Sequence, residues 1–131
     1  MRAIKTYEGK RDRGEAFVVV SHLDDSAVHS RKLRHMVRHS PCGIEWGYAG
    51  SGPADLAFSM LIDHFGGGDI GLIRAEPLYQ AFKEFVIAPL PRVGWTMDTT
   101  YIDERLRLIE LQQASRETEP AAVVELIGAH A

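Results

Sequence analysis

One short run, Gly50-Ser51-Gly52-Pro53, is dense in residues with special backbone geometry that could support chemistry, and an apolar stretch follows it. Proline suits the first position of a helix, and the free backbone amides of a helix N-terminus bind anions. The run could therefore hold a phosphate group, with Asp55 or His64 acting as acid or base. This hypothesis describes a small enzyme or a nucleotide-binding protein that uses a strand-to-helix elbow as an anion site.

The same run also fits a purely structural role. It lacks the lysine and the spacing of a P-loop, and its serine does not lie in a G-x-S-x-G pattern. With Pro53 at the first helical position, Gly52 is the expected N-cap, and Asp55 follows where a carboxylate caps the helix. A carboxylate there would also repel a bound anion. We therefore favour a structural elbow, with Asp55 as a cap, over a catalytic site.

A second cluster, His35, His39 and Cys42, has an H-x3-H-x2-C spacing that could ligate zinc, and His29 could supply a fourth ligand. Structural zinc sites usually contain paired cysteines, however, and basic residues are interleaved with these histidines. Their positive charge disfavours a bound cation. We expect no metal and no cofactor.

A basic segment overlaps that cluster and is the strongest candidate for contacting phosphates or the acidic face of a protein. No aromatic residue lies between its charges, so stacking of single-stranded bases is not expected. An ordinary solvated loop would have the same composition. The candidate contact residues are Arg31, Lys32, Arg34 and Arg38.

Two aromatic residues beside the elbow, Trp46 and Tyr48, could line a binding pocket. Aromatic side chains next to strands and helices more often belong to the core. Both interpretations stay open for these two residues.

Composition limits the class of protein. The 131 residues suffice for one domain, and a net charge of −3 argues against general nucleic-acid binding. One cysteine rules out an internal disulfide, no apolar run could span a bilayer, and the N-terminus lacks the apolar region of a signal peptide. We expect a cytoplasmic protein. Its basic residues dominate before residue 41, and its acidic residues dominate after residue 97.

The N-terminal part of the chain is predicted to form the strands that position these residues. Residues 2–8 and 15–21 predict a hairpin around a polar turn at 9–14, and residues 44–48 predict a third strand. Residues 22–40 are polar and basic, which indicates a loop with one short helix.

Helices dominate the rest of the prediction. Pro53–Phe65 is predicted to be a helix buried on more than one side and ended by the glycines that follow it. A second helix is predicted from Pro77 to about Phe85, and Val86–Ala88 is predicted to be a short edge strand.

A third helix is predicted after Trp95, capped by Thr96 or Asp98 and ending near Gln113. Residues 114–131 are expected to be a polar linker and a short amphipathic segment, separate from a domain of residues 1–113. The elements predict an α+β fold, a small, mainly antiparallel sheet packed against about three helices. The buried stripe of the third helix is expected to be Ile102, Leu106 and Ile109.

From Trp46 to Ala57 the sequence has the pattern W-G-Y-x-G-S-G-P-x-x-L-A. In this motif the chain resembles a family of small uncharacterised proteins, a domain of unknown function that occurs in bacteria and in phage or other mobile elements. The resemblance implies a shared fold and a setting in which many small proteins bind larger ones, and it implies no activity. It covers most of residues 1–110, including residues 63–65, 79–83, 86–91 and 95–96.

We therefore expect a non-enzymatic accessory or inhibitor protein of phage or mobile-element type. It would bind a host or rival macromolecule, a protein or a protein–nucleic acid complex, through the basic segment or the acidic C-terminal face. The alternatives are the small enzyme or nucleotide-binding protein at the elbow, and nucleic-acid binding through residues 31–38. Oligomer formation through the last segment stays open.

Overall fold

The computed structural model describes the backbone of residues 4–130 and the side chains of residues 4–116. The strands are β1 (Lys5–Asp12), β2 (Glu15–Leu23), β3 (Val28–Lys32) and β4 (Trp95–Asp98). The helices are α1 (Ser51–His64), α2 (Gly68–Ala75), α3 (Tyr79–Phe82), which continues as a π-helix over Lys83–Ile87, and α4 (Thr99–His130).

The four strands form one antiparallel sheet in the order β3-β2-β1-β4, which confirms the predicted α+β fold. Tyr7 pairs with Val20 on one side and with Met97 on the other, and all three side chains are buried. Residues that pair across strands share a face of the sheet, so this row defines its inner face. Helix α1 supplies much of the remaining core. None of the helices in the described part of the chain combines the length and apolarity needed to cross a membrane.

The predicted hairpin is present, but its strands are longer than expected. The turn consists of Arg13 and Gly14, both with positive φ, as a two-residue hairpin turn requires. The wide turn predicted at residues 9–14 is therefore wrong. Gly9 lies within β1 because the indole of Trp95 crosses it, and a Cβ at Gly9 would lie 2.3 Å from that ring.

Three of the predicted loops and strands are also wrong. Residues 28–32 form β3 rather than a loop or helix, and the short polar strand gave no periodic signal because every residue in it is exposed. Residues 44–48 are irregular, although Ile44 and Trp46 are buried. Val86–Ala88 continues the α3 helix instead of forming an edge strand. The missing edge strand is β4, which pairs with β1.

Helix α1 begins two residues before the predicted position. Its N-cap is Gly50, so Gly52 lies inside the helix, and Asp55 lies too far along to cap it. The predicted burial on more than one side is confirmed, because all but two of its residues are buried. The glycines after Phe65 do end the helix.

Helix α2 was not predicted. It packs on α1 through two small residues, Gly71 and Ala75, and a Cβ at Gly71 would lie 2.6 Å from the Ile62 carbonyl oxygen. Its large apolar residues point outward: Ile70 and Ile73 are each 68% exposed. This inversion of the usual amphipathic pattern leaves an apolar surface open.

Helix α4 begins as predicted, with the Asp98 carboxylate accepting a bond from the Tyr101 amide. The predicted stripe of Ile102, Leu106 and Ile109 is buried. The end predicted near Gln113 is wrong, because the backbone is helical to His130 and residues 114–119 are not a linker. The predicted amphipathic face after Pro120 lies outside the described side chains, and the division at residue 113 stays a prediction.

Candidate binding site

One side of α1 carries three of the few polar residues in this mostly apolar helix. Asp55, Ser59 and Asp63 are spaced four residues apart, so they form a single ridge along the helix. All three accept hydrogen bonds from chain segments outside the helix. We call these three residues the polar ridge.

The Asp55 end of the polar ridge holds backbone. The Asp55 side chain is fully buried and accepts bonds from the amides of Arg38, His39 and Ser40 at 3.1, 2.8 and 3.0 Å. His35 Nε2 lies 2.8 Å from the same carboxylate. Burial alone would raise the pKa of Asp55, but these four bonds outweigh it and hold the pKa below the usual range. The predicted capping role is therefore wrong, and the carboxylate shapes the irregular segment 33–40 instead.

The Asp63 end holds side chains from the sheet. Asp63 accepts bonds from the Tyr7 hydroxyl at 2.7 Å, from Lys5 Nζ at 3.1 Å and from Arg31 Nη2 at 2.6 Å. Burial favours a higher pKa, but these donors together lower the pKa of Asp63. Between the two carboxylates, Ser59 Oγ accepts a bond from the Met36 amide at 2.9 Å. The polar ridge thus fastens both β3 and the segment after it to α1.

The structure places Asp55 and His64, the acid or base candidates of the enzyme hypothesis, at different points along α1. His64 lies nine positions after Asp55 in the sequence, about 13 Å along a helix axis. Its Nε2 lies 2.7 Å from Asp103 Oδ1, which joins α1 to α4. Asp55 and His64 are therefore not brought together around one bound group.

At the elbow, the first turn of α1 has no side-chain cap and borders a cavity of about 300 Å³. Glu15 and Glu45 both line this cavity together with Ser51 and Gly52. Glu45 forms an ion pair with Arg11, whose hydrogen bond lowers the pKa of that carboxyl. Glu15 has no ion pair among the described residues, and its negative charge disfavours a bound anion.

The two aromatic candidates have different environments. Trp46 is fully buried, donates its indole N–H to the Arg92 carbonyl oxygen and packs edge-on against Trp95, so it belongs to the core. Tyr48 is 46% exposed and packs against Gly50, where a Cβ would lie 2.6 Å from its ring.

The predicted zinc ligands do not converge. His35 bonds to Asp55, His39 Nε2 lies 2.8 Å from the Tyr79 hydroxyl, and Cys42 is exposed. Across the residues whose side chains are described, no three His, Cys, Asp or Glu side chains are arranged to hold a metal ion.

The structure divides the predicted basic segment into two pairs. Arg31 binds Asp63, and Arg38 binds Glu76 while its guanidinium lies over the Phe58 and Tyr79 rings. Lys32 and Arg34 are exposed, and neither makes an ion pair within the described residues. Lys32 lies over the Phe17 ring at 4.9 Å. Two of the four cations are therefore available to a partner.

One of these two cations, Arg34, borders an open cleft of about 370 Å³ between residues 31–36 and the start of α2, whereas Lys32 does not line it. Its charged lining residues are Arg31 and Asp63, which bind each other, together with Arg34 and Asp69. The cleft has a small polar rim around apolar walls, as peptide-binding sites do. Its apolar walls are formed by Leu33, Met36, Ile62 and Leu72.

Sequence reasoning missed the apolar half of this cleft because it missed α2. A usable signal was present, since two small residues, Gly71 and Ala75, lie four positions apart, with Ile73 between them and Ile70 just before them. Small residues at helical spacing allow close helix packing and turn the larger side chains outward. The exposed apolar surface of α2 could have been inferred from that spacing.

Comparison with known proteins matches residues 7–108 to one family, described as a family of unknown function, DUF6166. No curated protein matches the chain. No solved structure matches it either. The matched range includes the whole polar ridge, β3 and the cleft beside them, so these features lie within the family domain. The chain belongs to this family of unknown function.

Proposed function

We propose that the protein is a non-enzymatic accessory or inhibitor protein of phage or mobile-element type, which binds a host or rival protein. The observation that supports this most strongly is the open cleft, bordered by an exposed strand on one side and an exposed apolar helix on the other. Leu72 of α2 lines that cleft, and two further apolar residues of the same helix, Ile70 and Ile73, are each 68% exposed. Exposed apolar residues concentrated on one short helix are typical of protein-binding surfaces.

Charge favours a protein partner over a nucleic acid. Two of the four candidate cations are neutralised by Asp63 and Glu76, and Asp69 lies in the cleft itself. Nucleic-acid affinity depends on several phosphate contacts from unpaired cations. Lys32 and Arg34 are too few for such binding but suffice to orient an acidic protein surface. A single exposed cysteine suits action in the reducing cytoplasm, where we place the protein.

The test is a tagged pull-down from a lysate of the cells that encode the protein, with and without nuclease, read by mass spectrometry. We expect a stoichiometric protein that survives nuclease and is lost in the double variant Lys32→Glu/Arg34→Glu. This variant spares Arg31 and Arg38, whose reversal would break the bonds to Asp63 and Glu76. Because both substituted residues are exposed, stability should change by less than about 0.5 kcal/mol.

The matched control is Arg107→Glu/Arg116→Glu, which makes the same change in net charge on exposed positions of α4. It should retain the partner. Equal recovery by both double variants, an empty catch, or a catch lost on nuclease treatment would each contradict the proposed function.

A further inference from the structure

The outer edge of β3 is the least covered backbone among the described strands. β3 pairs with β2 alone, and all five of its residues are exposed. We propose that this edge takes an extended segment of the partner protein as a fifth strand, in which apolar residues alternate with acidic ones. This inference rests on the proposed function and adds the chemistry of the partner to it.

Backbone geometry identifies the groups that would bind. The Leu33 amide donates to the Val18 carbonyl at 2.8 Å, so residue 33 faces β2. Inward and outward backbone groups alternate along an antiparallel strand, so His29 and Arg31 also face β2. The amides and carbonyls of Val28, Ser30 and Lys32 therefore point away from the sheet. Within the described part of the chain, no backbone hydrogen bond engages them.

The inner face of an added strand would lie above the cleft. Arg31 projects from β3 to Asp63 on α1, so its face of the strand is the one that borders the cleft. The start of α2 forms another wall of the cleft, and a neighbouring strand in the same sheet lies about 4.8 Å beyond β3. Its inward side chains would meet the cleft wall that includes Leu72, which is 41% exposed. Every second residue of the partner segment should therefore be apolar.

The outer face of the added strand would meet positive charge. Lys32 alternates with Arg31 and so projects from the opposite face, over Phe17. No carboxylate among the described residues binds Lys32, so acidic residues on the outer face of the partner strand would supply its counter-charge. Arg34, past the end of β3, lines the cleft and does not belong to this outer face.

A second copy of β3 fits this edge less well. An antiparallel copy centred on Ser30 would put Arg31 opposite His29 and would bring no carboxylate to Lys32. Edge lysines of this kind oppose self-pairing of sheets. The complementary strand therefore comes from a different chain.

The experiment uses synthetic peptides of about eight residues. One alternates Val with Asp, a second alternates Val with Lys, and a third is the Val–Asp peptide with a central proline. Affinity for the full chain is measured by fluorescence anisotropy. We expect the Val–Asp peptide to bind, and the other two to bind at least about tenfold more weakly, because they lose the charge match or a ladder bond.

The variant Ser30→Pro removes an outward-facing amide, a position at which a strand tolerates proline. It should weaken binding of the Val–Asp peptide by at least about tenfold. The matched control, Ser30→Ala, loses only the hydroxyl contact with Ser21 and should keep the affinity. Thermal unfolding establishes that both variants are folded.

A second variant covers the case in which Ser30→Pro does not fold. Lys32→Glu should reverse the preference, so that the Val–Lys peptide binds more tightly than the Val–Asp peptide. The inference is overturned if the Val–Asp peptide does not bind, if folded Ser30→Pro binds it normally, or if Lys32→Glu leaves the preference unchanged. A pull-down partner that Ser30→Pro still captures would overturn the added strand alone, whereas an empty pull-down would overturn the proposed function.

Discussion

Asp55 and Asp63 lie two turns apart on the same ridge of α1, yet they hold different parts of the chain. Asp55 is fully buried and binds three consecutive backbone amides, so it defines the path of an irregular segment. Asp63 binds three side chains that reach it from β1 and β3, and its own side chain is 13% exposed at the wall of the cleft. The Asp55 carboxylate binds backbone amides that would otherwise bond within a helix or sheet. The Asp63 carboxylate joins the sheet edge to α1 beside an open surface.

The two ends of the ridge on α1 therefore have different roles: Asp55 maintains the fold, and Asp63 lies where a partner could bind. Backbone donors have no other buried acceptor when a carboxylate is removed, whereas side-chain donors at a cleft can turn towards water or towards a ligand. The Asp55 end should therefore be rigid and intolerant of change. The Asp63 end should tolerate change better and should respond when a partner binds.

The largest expected effect is the loss of Asp55. Asp55→Ala leaves three amides and His35 without their acceptor in a buried site, so the free energy of unfolding should fall by about 3–5 kcal/mol. Asp55→Asn keeps one acceptor oxygen, so its free energy of unfolding should fall less than that of Asp55→Ala. Urea denaturation of both variants measures the effect, and a loss below about 1 kcal/mol in Asp55→Ala would contradict the assigned role.

Asp63→Asn should have a smaller effect. The amide oxygen can still accept from Tyr7, while Lys5 and Arg31 can be solvated, so the expected loss is about 1–3 kcal/mol. The same urea titration checks it. If Asp63→Asn were as damaging as Asp55→Ala, the distinction between the two ends of the ridge would be lost.

The smallest expected effect is a change in how the stability of the fold depends on pH in acid. The pKa of each carboxylate is lowered in the folded chain, so its contribution is complete above the usual aspartate pKa of about 4 and is lost as pH falls through the folded value. Stability should therefore decline below about pH 4 in the wild type and decline less steeply in Asp55→Asn. Parallel curves from thermal unfolding across this range would contradict the pKa direction assigned to Asp55.

The parts of the fold that the sequence predicted are those with a local signal. The hairpin has a β-branched strand and a turn glycine, α1 and the start of α4 have apolar periodicity, and Asp98 lies where a cap should be. These features depend on neighbours within a few residues. For that reason they could be predicted without knowing the tertiary structure.

The candidate site could not be predicted in the same way, because its residues are positioned by distant partners. Asp55 matches a capping position by spacing, yet it binds amides that precede it in the chain by 15–17 residues. The four cations near β3 look equivalent in sequence. Two of them form ion pairs, with Asp63 and Glu76, and these carboxylates lie far along the chain. The four-residue spacing of Asp55, Ser59 and Asp63 was the available clue, since polar residues on one side of a buried helix require partners.

The most direct test of the account is amide hydrogen exchange, followed residue by residue by NMR, on the free chain. We expect slow exchange at Arg38, His39 and Ser40, although that segment has no regular secondary structure, because Asp55 holds their amides. In β3 we expect alternation, with slow exchange at His29 and Arg31 and fast exchange at Ser30 and Lys32. Fast exchange throughout residues 38–40, or protection of Ser30 and Lys32 in the free chain, would contradict it.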